Sequence, residues 1–197
     1  MIDHALAGAA GHALPIRIGA TLFVTLLTAA SSQVSVPLPF TPVPFTLQPM
    51  VVLLGAAVLG PELGLLSQVL YLAAGAAGLP VFAFAPDLPQ GVLRLLGPTG
   101  GYLLSYPLAA FVTGWLARRG FDRRYFTSVL AMAAGLAVVF AGGVAWLTLF
   151  APGSDARSLQ SALAAGFYPF VAADLFKVCV AGAVMPAAWR LLGSPRA

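Results

Sequence analysis

The chain has 197 residues, of which 60% are hydrophobic and 8% charged, with a mean hydropathy of +0.94. So little polar material cannot cover a water-soluble globule; the composition describes an integral membrane protein, one bundle of helices with no room for a separate soluble catalytic domain. The net charge of +4 rests on arginines placed between apolar stretches, a pattern that fits a topogenic signal better than a nucleic-acid-binding face.

Residues 1–15, with Asp3, His4 and His12 among Ala and Gly, lack the basic start of a secretory signal peptide and read as a short membrane-surface segment. His4 and His12 stand too far from other ligating side chains to form a metal site. Six spans follow, at about 16–32, 47–59, 62–79, 101–117, 126–150 and 167–191, judged against the ~20 residues a helix needs to cross. Gly60-Pro61-Glu62 separates the second from the third, since Gly ends a helix and Pro followed by an acid suits the next first turn. A single re-entrant hairpin is the alternative there. With a cytoplasmic amino terminus, Arg17, Arg118, Arg119, Arg123, Arg124, Arg190 and Arg196 lie at the inner side and Arg94 and Arg157 outside. Both termini are then cytoplasmic.

Three outward segments remain, and they are rich in turn residues. Residues 35–49 carry Pro37, Pro39, Pro42, Pro44 and Pro49, with Pro-Phe-Thr at 39–41 and again at 44–46. Proline lacks an amide hydrogen and fixes φ, so this stretch is expected to be an extended lid or a rigid connection, and not regular helix. Residues 79–101 carry Pro80, Pro86, Pro89 and Pro98. Non-helical backbone at this depth must be buried by protein or line a wet cavity.

Asp174 and Lys177 fall inside the last span, and Lys177 is the chain's single lysine. Charge is costly in hydrocarbon, so both heads should face protein or a cavity; three residues apart, they share a helix face. They form either a mutual salt bridge that only packs helices or the acceptor and donor for a ligand. Gly97-Pro98-Thr99-Gly100-Gly101-Tyr102 lacks the Lys-Ser or Lys-Thr ending of a P-loop. Its glycines let backbone approach a ligand or a neighbouring helix, and Thr99 and Tyr102 offer hydroxyls. Gln33, Gln48, Gln68 and Gln90 are scattered amides that bind ligand or bridge helices. The single cysteine, Cys179, precludes an internal disulfide and is expected to be a small packing residue. No hydrolase, metalloprotease or carboxylate-cluster pattern is present, so neither catalysis nor a cofactor is expected.

Pro42-Val43-Pro44-Phe45-Thr46-Leu47-Gln48, Gly78-Leu79-Pro80-Val81-Phe82, Gly97-Pro98-Thr99-Gly100-Gly101-Tyr102 and Asp174-x-x-Lys177 occur in that order. This set resembles the BioY family, the biotin-specific substrate-capture components of energy-coupling factor (ECF) vitamin transporters, over about residues 20–190. The resemblance implies a six-helix protein of the bacterial cytoplasmic membrane that captures biotin from outside, beneath its first outward loop. It implies a partner module as well, a transmembrane coupling protein with two ATP-binding-cassette ATPases. Asp174 and Lys177 match the family's ligand-binding pair, and residues 97–102 its glycine-rich motif. Fused urea-like ring donors, a carbonyl and an acid tail suit an apolar pocket with a few directed polar groups. Gln48 and Gln90 join the candidate contacts, with Phe45, Phe40, Phe82 and Tyr168 as apolar walls. The sequence departs from the pattern at Asp87-Leu88-Pro89-Gln90. Thr25 and Ala29 only approximate the small residues spaced by four that the family uses to dock its coupling protein. An autonomous ion-coupled carrier and a structural membrane protein remain the alternatives.

Overall fold

The computed structural model describes residues 13–84, 89–149 and 158–192. Most of the amino-terminal surface segment, with His4 and His12, lies outside the described residues, as do Asp87, Arg157 and Arg196. The elements run α1 (Ala13–Gln33), β1 (Ser35–Val36), β2 (Phe45–Thr46), α2 (Gln48–Leu59), α3 (Pro61–Ala76), α4 (Val92–Leu96), α5 (Gly100–Arg118), a 3-10 turn (Phe121–Arg123), α6 (Tyr125–Leu149), α7 (Leu159–Gly166) and α8 (Tyr168–Leu192). Helix dominates, and three of the described helices, Ala13–Gln33, Tyr125–Leu149 and Tyr168–Leu191, are long and apolar enough to cross a membrane.

Polarity along α1 is inverted relative to a water-soluble helix. Its buried residues are Thr21, Val24, Thr28, Ser31 and Ser32, while Leu22, Phe23, Leu26 and Leu27 are exposed. Hydrocarbon outside favours that order, provided that the inner hydroxyls are satisfied. They are: Thr21 and Thr28 donate to the carbonyls of Arg17 and Val24 at 2.8 and 2.9 Å, and Thr25 reaches the Ser67 carbonyl on α3 at 2.9 Å. Gln68 bridges the same helices, donating to Ser67 Oγ and Thr28 Oγ1 at 3.0 and 3.4 Å. Thr25 is thus turned toward α3, and Ala29 packs on the core.

The Gly60-Pro61 signal marks the α2–α3 boundary. Gly60 sits at φ 83°, where a side chain would be strained, and Pro61 opens α3 with Glu62 in the first turn. Arg118 at the end of α5 closes on Glu62 with two contacts of 2.8 and 3.0 Å. α3 stops at Ala76, short of the expected Leu79, because Gly78 at φ 94° and Pro80 end the helical path. α2 is the central element, with Val52, Leu53 and Ala56 fully buried, and its neighbours contribute Tyr71, Ala109, Met132 and Met185 to the same core. Two short helices, α4 and α7, lie in the connections before α5 and α8; α7 opens with a reciprocal Ser158–Ser161 capping box. Cys179 faces outward on α8 and so does not pack inside the bundle.

Candidate functional site

Asp174 and Lys177 project inward from the first half of α8, 6% and 8% exposed, with Lys177 Nζ 2.7 Å from Asp174 Oδ1. The ammonium also donates to the Thr46 carbonyl at 2.6 Å and lies 3.6 Å from the centre of the Phe45 ring. It is thus held by a carboxylate, a backbone carbonyl and an aromatic face at once. Phe45 in turn stacks on Phe170 of α8, with ring centroids 6.5 Å apart.

Thr46 and Phe45 belong to a miniature hairpin made from the proline-rich segment, in which Ser35 pairs with Thr46 and Val36 with Phe45. Prolines supply no ladder donors, so the pairing is confined to two residues on each side and the rest of the segment loops over the bundle. The loop is anchored by Thr41, whose hydroxyl donates to the Ala165 carbonyl at the end of α7 at 2.6 Å.

Under this hairpin lie two small cavities, of about 40 and 50 Å³. They share Val43, Pro44, Thr46, Tyr102 and Tyr106 as a common wall. Asp174, Phe45, Phe140 and Phe170 close one; Gln48, Ala83, Arg94 and Thr99 close the other. Each has room for no more than a few waters while the hairpin is seated.

Arg94 is the residue that sequence reasoning missed. Read as an outer flanking charge, it is 1% exposed and reaches in from α4. One guanidinium nitrogen, Nη2, donates to the Ala83 carbonyl, while Nη1 has no hydrogen-bond partner. Thr99 Oγ1, on the same cavity, is buried without a partner as well. Burial pushes the guanidinium below its ordinary range, opposed by the nearby Tyr71 phenol, yet an arginine keeps its charge at any physiological pH. A buried cation with one spare guanidinium nitrogen, beside an unpaired hydroxyl, is suited to an acid group. The available signal was its position, between a proline-rich turn and the Gly-Pro-Thr-Gly-Gly motif.

The remaining candidates divide. Gln48 is 2% exposed and donates to the Tyr71 hydroxyl at 2.6 Å; that hydroxyl donates to the Val81 carbonyl at 3.2 Å. Ser32 and Gln33 bond to the same strap, at the Val81 and Pro80 carbonyls. Tyr102 lines both cavities and donates to the Gly166 carbonyl at 2.8 Å. Its ring lies so close over Gly143 that any side chain there would collide with it. Gly100 meets the Leu95 carbonyl at the start of α5, where a Cβ has no room. Gln90 is exposed and lines neither cavity, as do Phe40 and Tyr168. Phe82 is buried edge-on to Tyr71 at 5.5 Å, a core contact and not a cavity wall. A wider groove of about 580 Å³ between α6 and α7 has Thr148 as its one polar side chain and suits hydrocarbon better than a polar ligand. Among the described residues, no group of three or more His, Cys, Asp or Glu is placed to hold a metal ion.

Fold and site together define a helical membrane protein with a buried, charge-bearing chamber under a hairpin. The BioY family model matches residues 10–194, and the chain belongs to that family. The biotin transporter BioY of Thermotoga maritima is 41% identical over 161 residues, covering 81% of this chain and 88% of the relative. The probable biotin transporter BioY of Pyrococcus horikoshii is 40% identical over 160 residues, covering 81% and 87%. The crystal structure of a biotin S-component from an ECF-type ABC transporter superposes with a TM-score of 0.80 at 23% identity, over 91% of this chain and 94% of that one. This last likeness shows the fold.

Proposed function

We propose that the chain is the biotin-binding component of an ATP-powered vitamin importer. It takes biotin from the outer side and depends on a coupling protein and two ABC-type ATPases for energised uptake. In this reading the whole chain is one membrane domain, α1, α2, α3, α5, α6 and α8 are its six spans, both termini are cytoplasmic, and the protein resides in a bacterial cytoplasmic membrane. Relatives named as biotin transporters support it. So does the chemistry of the site, which offers an acceptor and two cations but no reacting pair. Binding for transport is the reading that the family supports.

The observation that carries the reading is the Lys177–Thr46 bond, by which a lid carbonyl occupies the donor that a ligand would use. Biotin binding then lifts the hairpin, merges the two cavities across their shared wall and lets a ligand oxygen replace the Thr46 carbonyl. Lys177 is already balanced by Asp174, whereas Arg94 has no carboxylate beside it among the described residues. The acid tail therefore favours Arg94, and the ring N–H groups favour Asp174 as acceptor.

Calorimetry of the purified full chain with biotin tests the assignment. Saturable binding is expected, weakened at least tenfold in Asp174→Asn and Lys177→Ala. Absence of heat with biotin, or unchanged binding in both variants, overturns it. Biotin methyl ester tests the orientation: Arg94→Met should weaken biotin strongly and leave the ester nearly unaffected.

A further inference from the structure

The four arginines between α5 and α6 are not equivalent. Arg118 is spent on Glu62, which it holds with two contacts of 2.8 and 3.0 Å. Arg119, Arg123 and Arg124 are exposed, and none has a carboxylate within ion-pair distance among the described residues. The one acid in the turn, Asp122, is 3% exposed and accepts from the Trp189 indole of α8 at 2.8 Å. It is therefore committed to an indole and not to a guanidinium. Two of the three free arginines are braced by rings: Arg119 lies 3.5 Å over Trp115, and Arg123 lies 5.6 Å from Trp189. Gly120, at φ 91°, folds the chain so tightly that these forks emerge from one turn. Exposed Tyr125 and Phe126 follow at once.

The position of this cluster decides what it meets. It caps the start of α6 and, through Trp189, the end of α8, both long and apolar enough to cross a membrane. Guanidinium forks flanked by interfacial aromatics at the ends of spans sit at headgroup depth. The matching chemistry is a phosphodiester with two free oxygens, which a fork engages bidentately, in a headgroup that carries no cation of its own to repel three guanidinium groups.

We propose that Arg119, Arg123 and Arg124 form a binding site for the phosphodiester headgroup of an anionic phospholipid, with Trp115 and Trp189 holding two of the guanidinium planes. The site is independent of the biotin chamber. Arg118 is excluded from it by its pairing with Glu62.

Native mass spectrometry of the full chain, released from detergent with phosphatidylglycerol or phosphatidylcholine added, tests this. Phosphatidylglycerol should be retained preferentially. Each arginine near a charged surface contributes about a fivefold factor, so R119Q/R123Q/R124Q should lower that preference on the order of a hundredfold. R118Q should retain it. Biotin binding by the same samples reports folding, because a variant that still binds biotin but loses the lipid has lost only this site. Equal retention of the two lipids overturns the proposal, as does an unchanged preference in the triple variant. Equivalent protection by inorganic phosphate alone overturns it too, since the site would then be one for free anions. If the triple variant keeps the lipid but no longer co-purifies with partner subunits, the turn is a protein interface and the proposal falls.

Discussion

Lys177 and Thr46, 131 residues apart, are joined by a 2.6 Å hydrogen bond from the last helix to the hairpin that covers it. The same ammonium is 2.7 Å from Asp174. One side chain therefore both neutralises Asp174 and ties the hairpin to the last helix.

Removal of either member of the pair leaves a buried charge alone. Lys177→Ala should cost about 3–5 kcal/mol of stability, read as an earlier thermal unfolding in detergent. The double variant Asp174→Asn/Lys177→Met should recover most of that loss, because neither charge remains. It should not recover biotin binding, and recovery of both would reduce the pair to interhelical glue.

Thr41 provides a way to loosen the lid without touching the chamber floor. Its hydroxyl bond to the Ala165 carbonyl is 2.6 Å long. Thr41→Val should lower stability by about 1 kcal/mol and quicken biotin release, measured by chase with unlabelled ligand. A slower release would show that the hairpin does not gate the site.

Tyr102 depends on the absence of side chains at Gly143 and Gly166, both of which lie against it. Gly143→Ala should displace the ring, break the bond to the Gly166 carbonyl and cost about 1–3 kcal/mol, with a matching loss of biotin affinity. Gly19→Ala on α1, where nothing lies within 4 Å, is the control; it should be neutral or stabilise by up to about 1 kcal/mol.

Arg94 requires its fork as well as its charge. Arg94→Lys keeps a cation but loses the planar donor pair that reaches the Ala83 carbonyl and leaves Nη1 free. Biotin affinity should fall at least tenfold in calorimetry while the unfolding temperature moves little. Full affinity in the lysine variant would remove Arg94 from the ligand contacts.

Long helices were legible because their signals are local. The expected 126–150 and 167–191 are observed as Tyr125–Leu149 and Tyr168–Leu192, and the Gly60-Pro61 break falls where backbone preference puts it. The burial and pairing of Asp174 and Lys177 were legible because charge inside an apolar run is anomalous whatever the fold. Arg94 was not, since a single arginine in a proline- and glycine-rich connection between spans looks like any loop charge. Its burial arises from the Ala83 carbonyl and the neighbouring Tyr71 and Thr99, contacts that only the tertiary fold creates. Gln90 shows the converse: a polar residue near the right motif, carried outward by the geometry of its turn.

The molecule also has unequal flanks. α3, with Leu66, Val69 and Leu70 on its outside, has 16 residues, whereas α6 has 25. At 1.5 Å per residue these are about 24 and 38 Å long, against roughly 30 Å of hydrocarbon. If α3 spans as proposed above, lipid tails beside it must shorten while those beside α6 stretch, or the whole body leans. The proposed six-span body would then act as a wedge in the sheet of lipid around it, and membrane elasticity would favour any neighbour that relieves the pinched flank.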